Sequence, residues 1–235
     1  MSGTAVLVDG NYYLHRAGSL WGRDVDPDAR ADELYRYALA HIRLPDTPSS
    51  IEQSPRSLHR LFYYDCPPLE NAVIWQPWDG KSKVFNSKNP TYVWKRSFTD
   101  ALLLKRKVAL RMGSLTVGGL HYTLRDQALR GVLNGEKDIH ELGKRDYRLV
   151  GLKQSGVDMR IGLDVAQMAA ERVVERIVLI AGDSDFVPAV KVARRAGVDV
   201  LLDPMGLSCL REDLVEHSDG VEDLSSTFDP MRLCA

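Results

Sequence analysis

Asp183 and Asp185 stand one residue apart at the end of an aliphatic run, Ile177-Val-Leu-Ile-Ala-Gly-Asp-Ser-Asp-Phe186. Asp9 closes a shorter run, Ala5-Val-Leu-Val-Asp-Gly-Asn-Tyr12. Each run predicts a buried strand that finishes on a carboxylate. In open parallel sheets, ligands bind outside the carboxyl ends of the strands. Carboxylates gathered there disfavour one another's ionisation unless a cation relieves them. All-oxygen ligation favours Mg²⁺ or Mn²⁺ over zinc. Such an ion activates water and stabilises charge on a phosphoryl oxygen. The chemistry expected is therefore phosphoester hydrolysis at an acidic metal site.

Each aspartate also has a plainer reading. Asp9 can hydrogen-bond its own loop backbone, as turn aspartates do. Asp183 or Asp185 can cap the helix that follows. One side chain suffices for a cap and Ser184 could supply it, so the second carboxylate is surplus to that need. Asp158, in Gly156-Val-Asp-Met-Arg-Ile-Gly-Leu-Asp-Val165, sits in a first helical turn, where negative charge is favoured by the helix dipole. Asp164 lies mid-helix, about 120° around the axis from Asp158 at roughly 100° per residue. Asp158 is the better placed of the two for metal contact. The six histidines are scattered and are read as surface or structural groups.

The elements that must position these residues follow from periodicity. Strands are predicted at 4–9, 61–65, 177–181 and 198–202, and helices at 29–43, 96–111, 156–175, 185–196 and 208–217. Residues 113–124 read as strand or hairpin and 147–152 as another strand, and 125–146 are ambiguous. Pro45 to Pro55 is a loop, and the proline- and tryptophan-bearing stretch 66–94 reads as irregular insertion. The strand–helix–strand alternation after residue 156 argues for parallel βαβ units. The expected organisation is one domain over 1–218 with an insertion at about 66–145, then a polar tail, 219–235.

Composition excludes several classes. The chain has 235 residues, 44% apolar and 27% charged, with a net charge of −1, so any nucleic-acid surface must be local. Three cysteines, Cys66, Cys209 and Cys234, lack metal-ligand spacing and fit a reducing cytoplasmic setting. No apolar run approaches the length of a membrane span.

Three blocks, Val6-Leu-Val-Asp-Gly-Asn-Tyr12, Gly156 to Val165 and Ile180-Ala-Gly-Asp-Ser-Asp-Phe-Val-Pro188, resemble the signature blocks of the NYN domain family. More narrowly they resemble its LabA-like branch, within the PIN-like nuclease superfamily. The resemblance covers about the first ten residues and about 150–205. It implies a Rossmann-like (PIN-like) α/β/α sandwich with a mostly parallel central sheet, and metal-dependent ribonuclease activity. Carried over, the catalytic set is Asp9, Asp158, Asp183 and Asp185 with Asn11, and Asp164 is the second helical carboxylate that could join the metal. Ser184 lies between the paired aspartates. The family's lysine stands directly before the Gly-Val-Asp block; here Lys153 lies three residues before Gly156.

A haloacid-dehalogenase-type phosphatase would need a second aspartate two residues after the first, where Asn11 stands and cannot act as a general acid. The glycine-rich dinucleotide fingerprint is absent after the first strand. Arg96, Lys105 and Arg106, with Lys95, Lys107 and Arg111, form one basic cluster for phosphates; Lys191, Arg194 and Arg195 form another. Trp75, Trp78, Phe85, Tyr92 and Trp94 could stack bases beside the first cluster, or form the insertion's own core.

The leading expectation is a Mg²⁺- or Mn²⁺-dependent endoribonuclease that cuts single-stranded or structured RNA to leave a 3′-hydroxyl and a 5′-phosphate. The alternatives are a catalytically silent RNA-binding or regulatory module on the same fold, and a nuclease acting on DNA. No membrane partner is expected, and a homo-oligomer is left open.

Overall fold

The computed structural model describes residues 3–43 and 57–231. The loop expected at 45–55 lies outside that range, apart from its neighbour Ser57, where a strand begins. The chain divides into two compact units, one formed by 1–66, 94–113 and 156–235, the other by 67–93 and 114–155. Residues 94–113, inside the span read as insertion, group with the first unit.

The first unit is built on a six-stranded sheet. Its strands are β1 (Gly3–Asp9), β2 (Ser57–Asp65), β5 (Val108–Met112), β8 (Arg176–Ile180), β9 (Asp199–Asp203) and β10 (Gly220–Val221). Their order is β10-β9-β8-β1-β2-β5, and every pairing is parallel. A parallel sheet needs cover on both faces, so its central strands read as unbroken apolar runs. In β1, Ala5 and Leu7 point to one apolar cluster and Val6 and Val8 to the other, all fully buried. In β8, Ile177 and Leu179 join the first cluster while Val178 and Ile180 join the second.

Helices complete the sandwich. The face of Val6 and Val8 is covered by α1 (Gly10–Leu20), α2 (Pro27–Arg43) and α3 (Pro90–Leu103) through Tyr13, Ala17, Leu34, Tyr37, Phe98 and Leu102. The face of Leu7 is covered by α5 (Val157–Glu171), α6 (Val187–Arg195) and α7 (Glu212–His217) through Ile161, Val165, Val190, Ala193 and Leu214. The Rossmann-like α/β/α architecture is therefore present.

Several local expectations need correction. Sequence periodicity missed α1, because Asn11-Tyr-Tyr-Leu-His alternates poorly, yet Asp9 caps it by accepting from the Tyr12 N–H at 3.1 Å. The helix expected at 96–111 is α3, ending at Leu103, followed by β5; Lys107 takes a left-handed φ of 62° between them. The tail expected from 219 carries β10, and Asp219 holds it by accepting from the Val200 N–H at 2.8 Å.

The second unit contains the β3 (Ala72–Trp75) and β4 (Ser82–Phe85) hairpin, where irregular structure was expected. It also holds a long antiparallel pair, β6 (Ser114–Leu124) with β7 (Tyr147–Ser155), linked by α4 (Asp126–Leu133) and two short 3₁₀ turns. Trp78 packs its ring against Tyr122 and Tyr147, with centroids 4.7 and 5.7 Å away. That tryptophan is half-buried, packed against the second unit's own aromatic rings. Trp94 belongs to the first unit, where it stacks on Phe98 at 5.3 Å and donates to the Val25 carbonyl.

One buried polar contact ties α2 to the sheet. His41 Nε2 meets Asp203 Oδ2 at 2.8 Å, and Nδ1 meets Glu222 Oε2 at 3.4 Å. Burial alone would lower the imidazole pKa, but the hydrogen bonds and charges of Asp203 and Glu222 outweigh it and raise it above the usual 6.5. Charged His41 is therefore bound more tightly in the folded chain than in the unfolded one. This stabilisation is complete below about pH 6.5 and is lost as pH rises through the folded value. The melting temperature of the wild type is expected to fall across that window, while that of His41→Gln stays flatter. Parallel slopes for the two proteins would refute the assignment.

Candidate functional site

The sheet's strand order reverses around β1. From β1 the chain passes through α1 on one face toward β2; from β8 it passes through α6 on the other face toward β9. Connections that diverge to opposite faces open a crevice at the carboxyl ends of the two strands. Val8 is paired with Ile180, so Asp9 and the Gly182-Asp183-Ser184-Asp185 turn leave the sheet side by side.

A cavity of about 630 Å³ lies there. Its walls include Asp9, Asn11, Asp183, Ser184 and Asp185. Five of the residues nominated from sequence thus share one pocket. Tyr12, His15, Gly182 and Arg211 complete the lining and were not foreseen. Asn11 and His15 are one helical turn apart on α1, hence on one face, a spacing that could have flagged the histidine. Arg211 comes from the segment after β9, whose carboxyl end meets the same edge of the sheet.

Two glycines make the crevice narrow. A Cβ on Gly182 would stand 2.6 Å from the Tyr12 ring. Tyr12 cannot easily yield, because its hydroxyl donates to the Pro204 carbonyl at 2.6 Å. Gly10 is tighter still, against Tyr63.

Asp9 and Asp183 both perform the plain capping role. Asp9 Oδ1 accepts from Tyr12, and Asp183 Oδ1 accepts from the Asp185 N–H at 3.1 Å. Their electrostatics carry further information. Burial pushes the Asp9 pKa up to about 6; the Tyr12 N–H opposes this, and the charges of Asp158 and Asp65 add to it. Asp158, in the first turn of α5, is also raised, first by burial and then by the charges of Asp183 and Asp185. Asp158 therefore feels the pocket's carboxylates although it is not among the lining residues. Asp158 thus feels the charges of Asp183 and Asp185, and Asp9 feels that of Asp158.

Asp164 has other duties. Its Oδ2 accepts from the Tyr64 hydroxyl at 2.8 Å and from Arg111 Nε at 2.9 Å, tying α5 to β2 and β5. Arg111 in turn lies over the Phe62 ring, 5.2 Å from its centroid. Asp164→Asn is expected to lower stability by ~1–2 kcal/mol, the usual cost of weakening hydrogen bonds to a charged partner. It should leave any RNA cleavage within about three-fold of wild type, on the order of 0.7 kcal/mol. Chemical denaturation and a cleavage assay check both; a large loss of rate with full stability would return Asp164 to the metal.

The nominated cations are largely engaged elsewhere. Arg96 pairs with Asp100 at 3.1 Å, Lys105 with Asp32, and Lys95 with the buried Asp65 at 2.8 Å. Arg106 is exposed after α3. Lys153 is exposed on β7, in the second unit. Lys191, Arg194 and Arg195 line a separate cavity of about 550 Å³ with His217 and Asp219, where Arg194 pairs with Asp219 at 2.8 Å.

Would a divalent ion fit? Among the described residues, no group of three or more His, Cys, Asp or Glu side chains could by itself hold an ion. Mg²⁺ does not ask for such a cage: it keeps several waters and takes one or two carboxylates plus substrate phosphates. The donors are all oxygen, and Asp9 and Asp158 are raised first by burial and further by neighbouring carboxylates, which a cation would offset. The set fits a hydrated magnesium or manganese ion.

Residues 127–213 match the NYN domain. The NYN family belongs to the PIN-like nuclease superfamily. The NYN match takes in the Gly156 and Ile180 blocks, and it reaches back over 127–145, a stretch that no motif had flagged. No curated protein matches the chain. A crystal structure of a protein of unknown function, VPA0982 from Vibrio parahaemolyticus RIMD 2210633, is similar at 14% identity and a TM-score of 0.46, covering 97% of this chain and 95% of that one. No described helix is long and apolar enough to cross a membrane.

Proposed function

We propose that this chain is a metal-dependent endoribonuclease. One observation carries the reading: Asp9, Asp183 and Asp185 line a single pocket at the point where the sheet order reverses, within electrostatic reach of Asp158. The NYN match supplies the nuclease context.

Asp9, Asp158, Asp183 and Asp185 would hold Mg²⁺ or Mn²⁺, some through water. The ion would supply a water nucleophile at neutral pH and neutralise charge on the scissile phosphate. Asn11, on the wall of the same pocket, offers an amide that can donate to a phosphate oxygen and accept from a water. The Asp9 and Asp183 caps hold their carboxylates in place before any ligand arrives, so little ordering is left to the moment of reaction. Water attacks phosphorus in line, leaving a 3′-hydroxyl and a 5′-phosphate.

A catalytically silent RNA-binding module is the second reading, favoured by the finding that no three His, Cys, Asp or Glu side chains among the described residues form a metal cage by themselves. Incubating the full chain with labelled single-stranded RNA and Mn²⁺, with and without EDTA, separates the two. Cleavage that EDTA stops supports the nuclease; binding without fragments supports the module. A parallel arm with single-stranded DNA decides the sugar.

A further inference from the structure

The acidic pocket has a difficulty with its own ligand. Three aspartates line it, so a phosphodiester approaching them meets like charge. A metal ion offsets part of this, but a strand must also be held in register while it reacts. Of the cations first expected to do so, Lys95, Arg96 and Lys105 are engaged with Asp65, Asp100 and Asp32, and Arg106 and Lys153 are not among the pocket's lining residues.

Arg211 is different. It is the only lysine or arginine among the pocket's lining residues, and it is exposed. Among the described residues no carboxylate pairs with it; its Nη2 donates to Ser184 Oγ at 3.3 Å, a long bond to a neutral group. The guanidinium is thus steered to the Asp183-Ser184-Asp185 turn without being neutralised there. From α1, on the opposite face of the sheet, His15 reaches the same pocket one turn beyond Asn11. The cavity therefore combines three aspartates with the nitrogen donors of His15 and Arg211.

We propose that Arg211 and His15 clamp one phosphate of a nucleic-acid strand across the acidic pocket. The inference rests on the nuclease reading and adds to it the groups that position the substrate. An arginine fork matches two oxygens of one phosphate. Imidazole donates one further hydrogen bond. Neither side chain reads a base, so the clamp is indifferent to sequence.

The test is metal-free binding, in EDTA, of fluorescein-labelled single-stranded RNA to the full chain carrying Asp183→Asn. In that background Arg211→Ala is expected to weaken binding about ten-fold at low salt, equally for several sequences. It should also make the slope of log K against log salt shallower by about 0.7, the value for one phosphate contact on a single strand. Arg211→Lys keeps the charge and is expected to restore the slope while recovering only part of the affinity. His15→Gln is expected to weaken binding by about three-fold with little change of slope. A structural role for Arg211 would move none of these slopes, and thermal melts of each variant identify any that fail to fold; Arg211→Gln stands in for one that does. Unchanged affinity and slope overturn the clamp. That outcome leaves the nuclease reading intact, because the latter is tested separately and fails if the unsubstituted chain forms no RNA fragments in Mn²⁺.

Discussion

Asp183→Asn is expected to fold as the wild type does and to cut RNA on the order of 10²–10³-fold more slowly, the scale of losing one preorganised electrostatic group. The substitution is nearly isosteric. Asparagine keeps the oxygen that accepts from the Asp185 N–H, and it caps as well as aspartate does. Only the charge is lost. Because Asp183 is one of the groups that raise the Asp158 pKa, its neutralisation also relieves repulsion, and the melting temperature should hold or rise slightly. Rate and stability therefore part company. A capping residue would show neither effect, and full activity in the variant would remove Asp183 from the site.

Gly10→Ala is expected to be the most damaging single methyl group in the region. A Cβ there would lie 2.4 Å from Tyr63 Cζ, 2.5 Å from its hydroxyl and 2.7 Å from the Tyr64 carbonyl. Tyr63 is fully buried and its hydroxyl donates to Asp65 at 2.9 Å, so the ring has nowhere to withdraw. Overpacking of this kind costs about 3 kcal/mol, which is ~6–12 °C in melting temperature for a chain of this size. The shift also carries the start of α1 and the Asp9 cap with it, so cleavage should fall in parallel. Gly18→Ala is the control. It sits in α1 with only the flexible Arg23 side chain at 3.2 Å, and helix propensity should leave it neutral or slightly more stable. Equal melting temperatures for Gly10→Ala and the wild type would overturn this account of the crevice.

The sequence displayed what periodicity can encode. Runs such as Ala5-Val-Leu-Val and Ile177-Val-Leu-Ile are apolar on both faces, and only a covered parallel strand needs that. Their terminal carboxylates stood out because a strand end has no packing use for them. Other features left no such trace. In the α1 helix the fully buried side chains are Tyr13 and Ala17, too few apolar positions to announce a period. Asp164 resembles a ligand in the linear motif, but its partners Tyr64 and Arg111 lie about a hundred and about fifty residues away, and only folding brings them together. The ion pairs that occupy Lys95 and Lys105 likewise join positions 30 and 73 residues apart. Arg211 could be noticed only once the end of β9 was known to reach the same edge of the sheet.

The central position of β1 has a consequence for the order of assembly. One edge of this strand meets β2 early, but the other waits for β8, whose first residue is Arg176. On a ribosome adding about 5–20 residues per second, that edge stays bare for roughly ten to thirty seconds. On the proposed nuclease function, competence would then arrive all at once, since Asp9 has no partner carboxylates from the Gly182–Asp185 turn until the ribosome releases it. Nascent chains stalled before Arg176 should be readily cut by protease within β1 and should leave their own message intact.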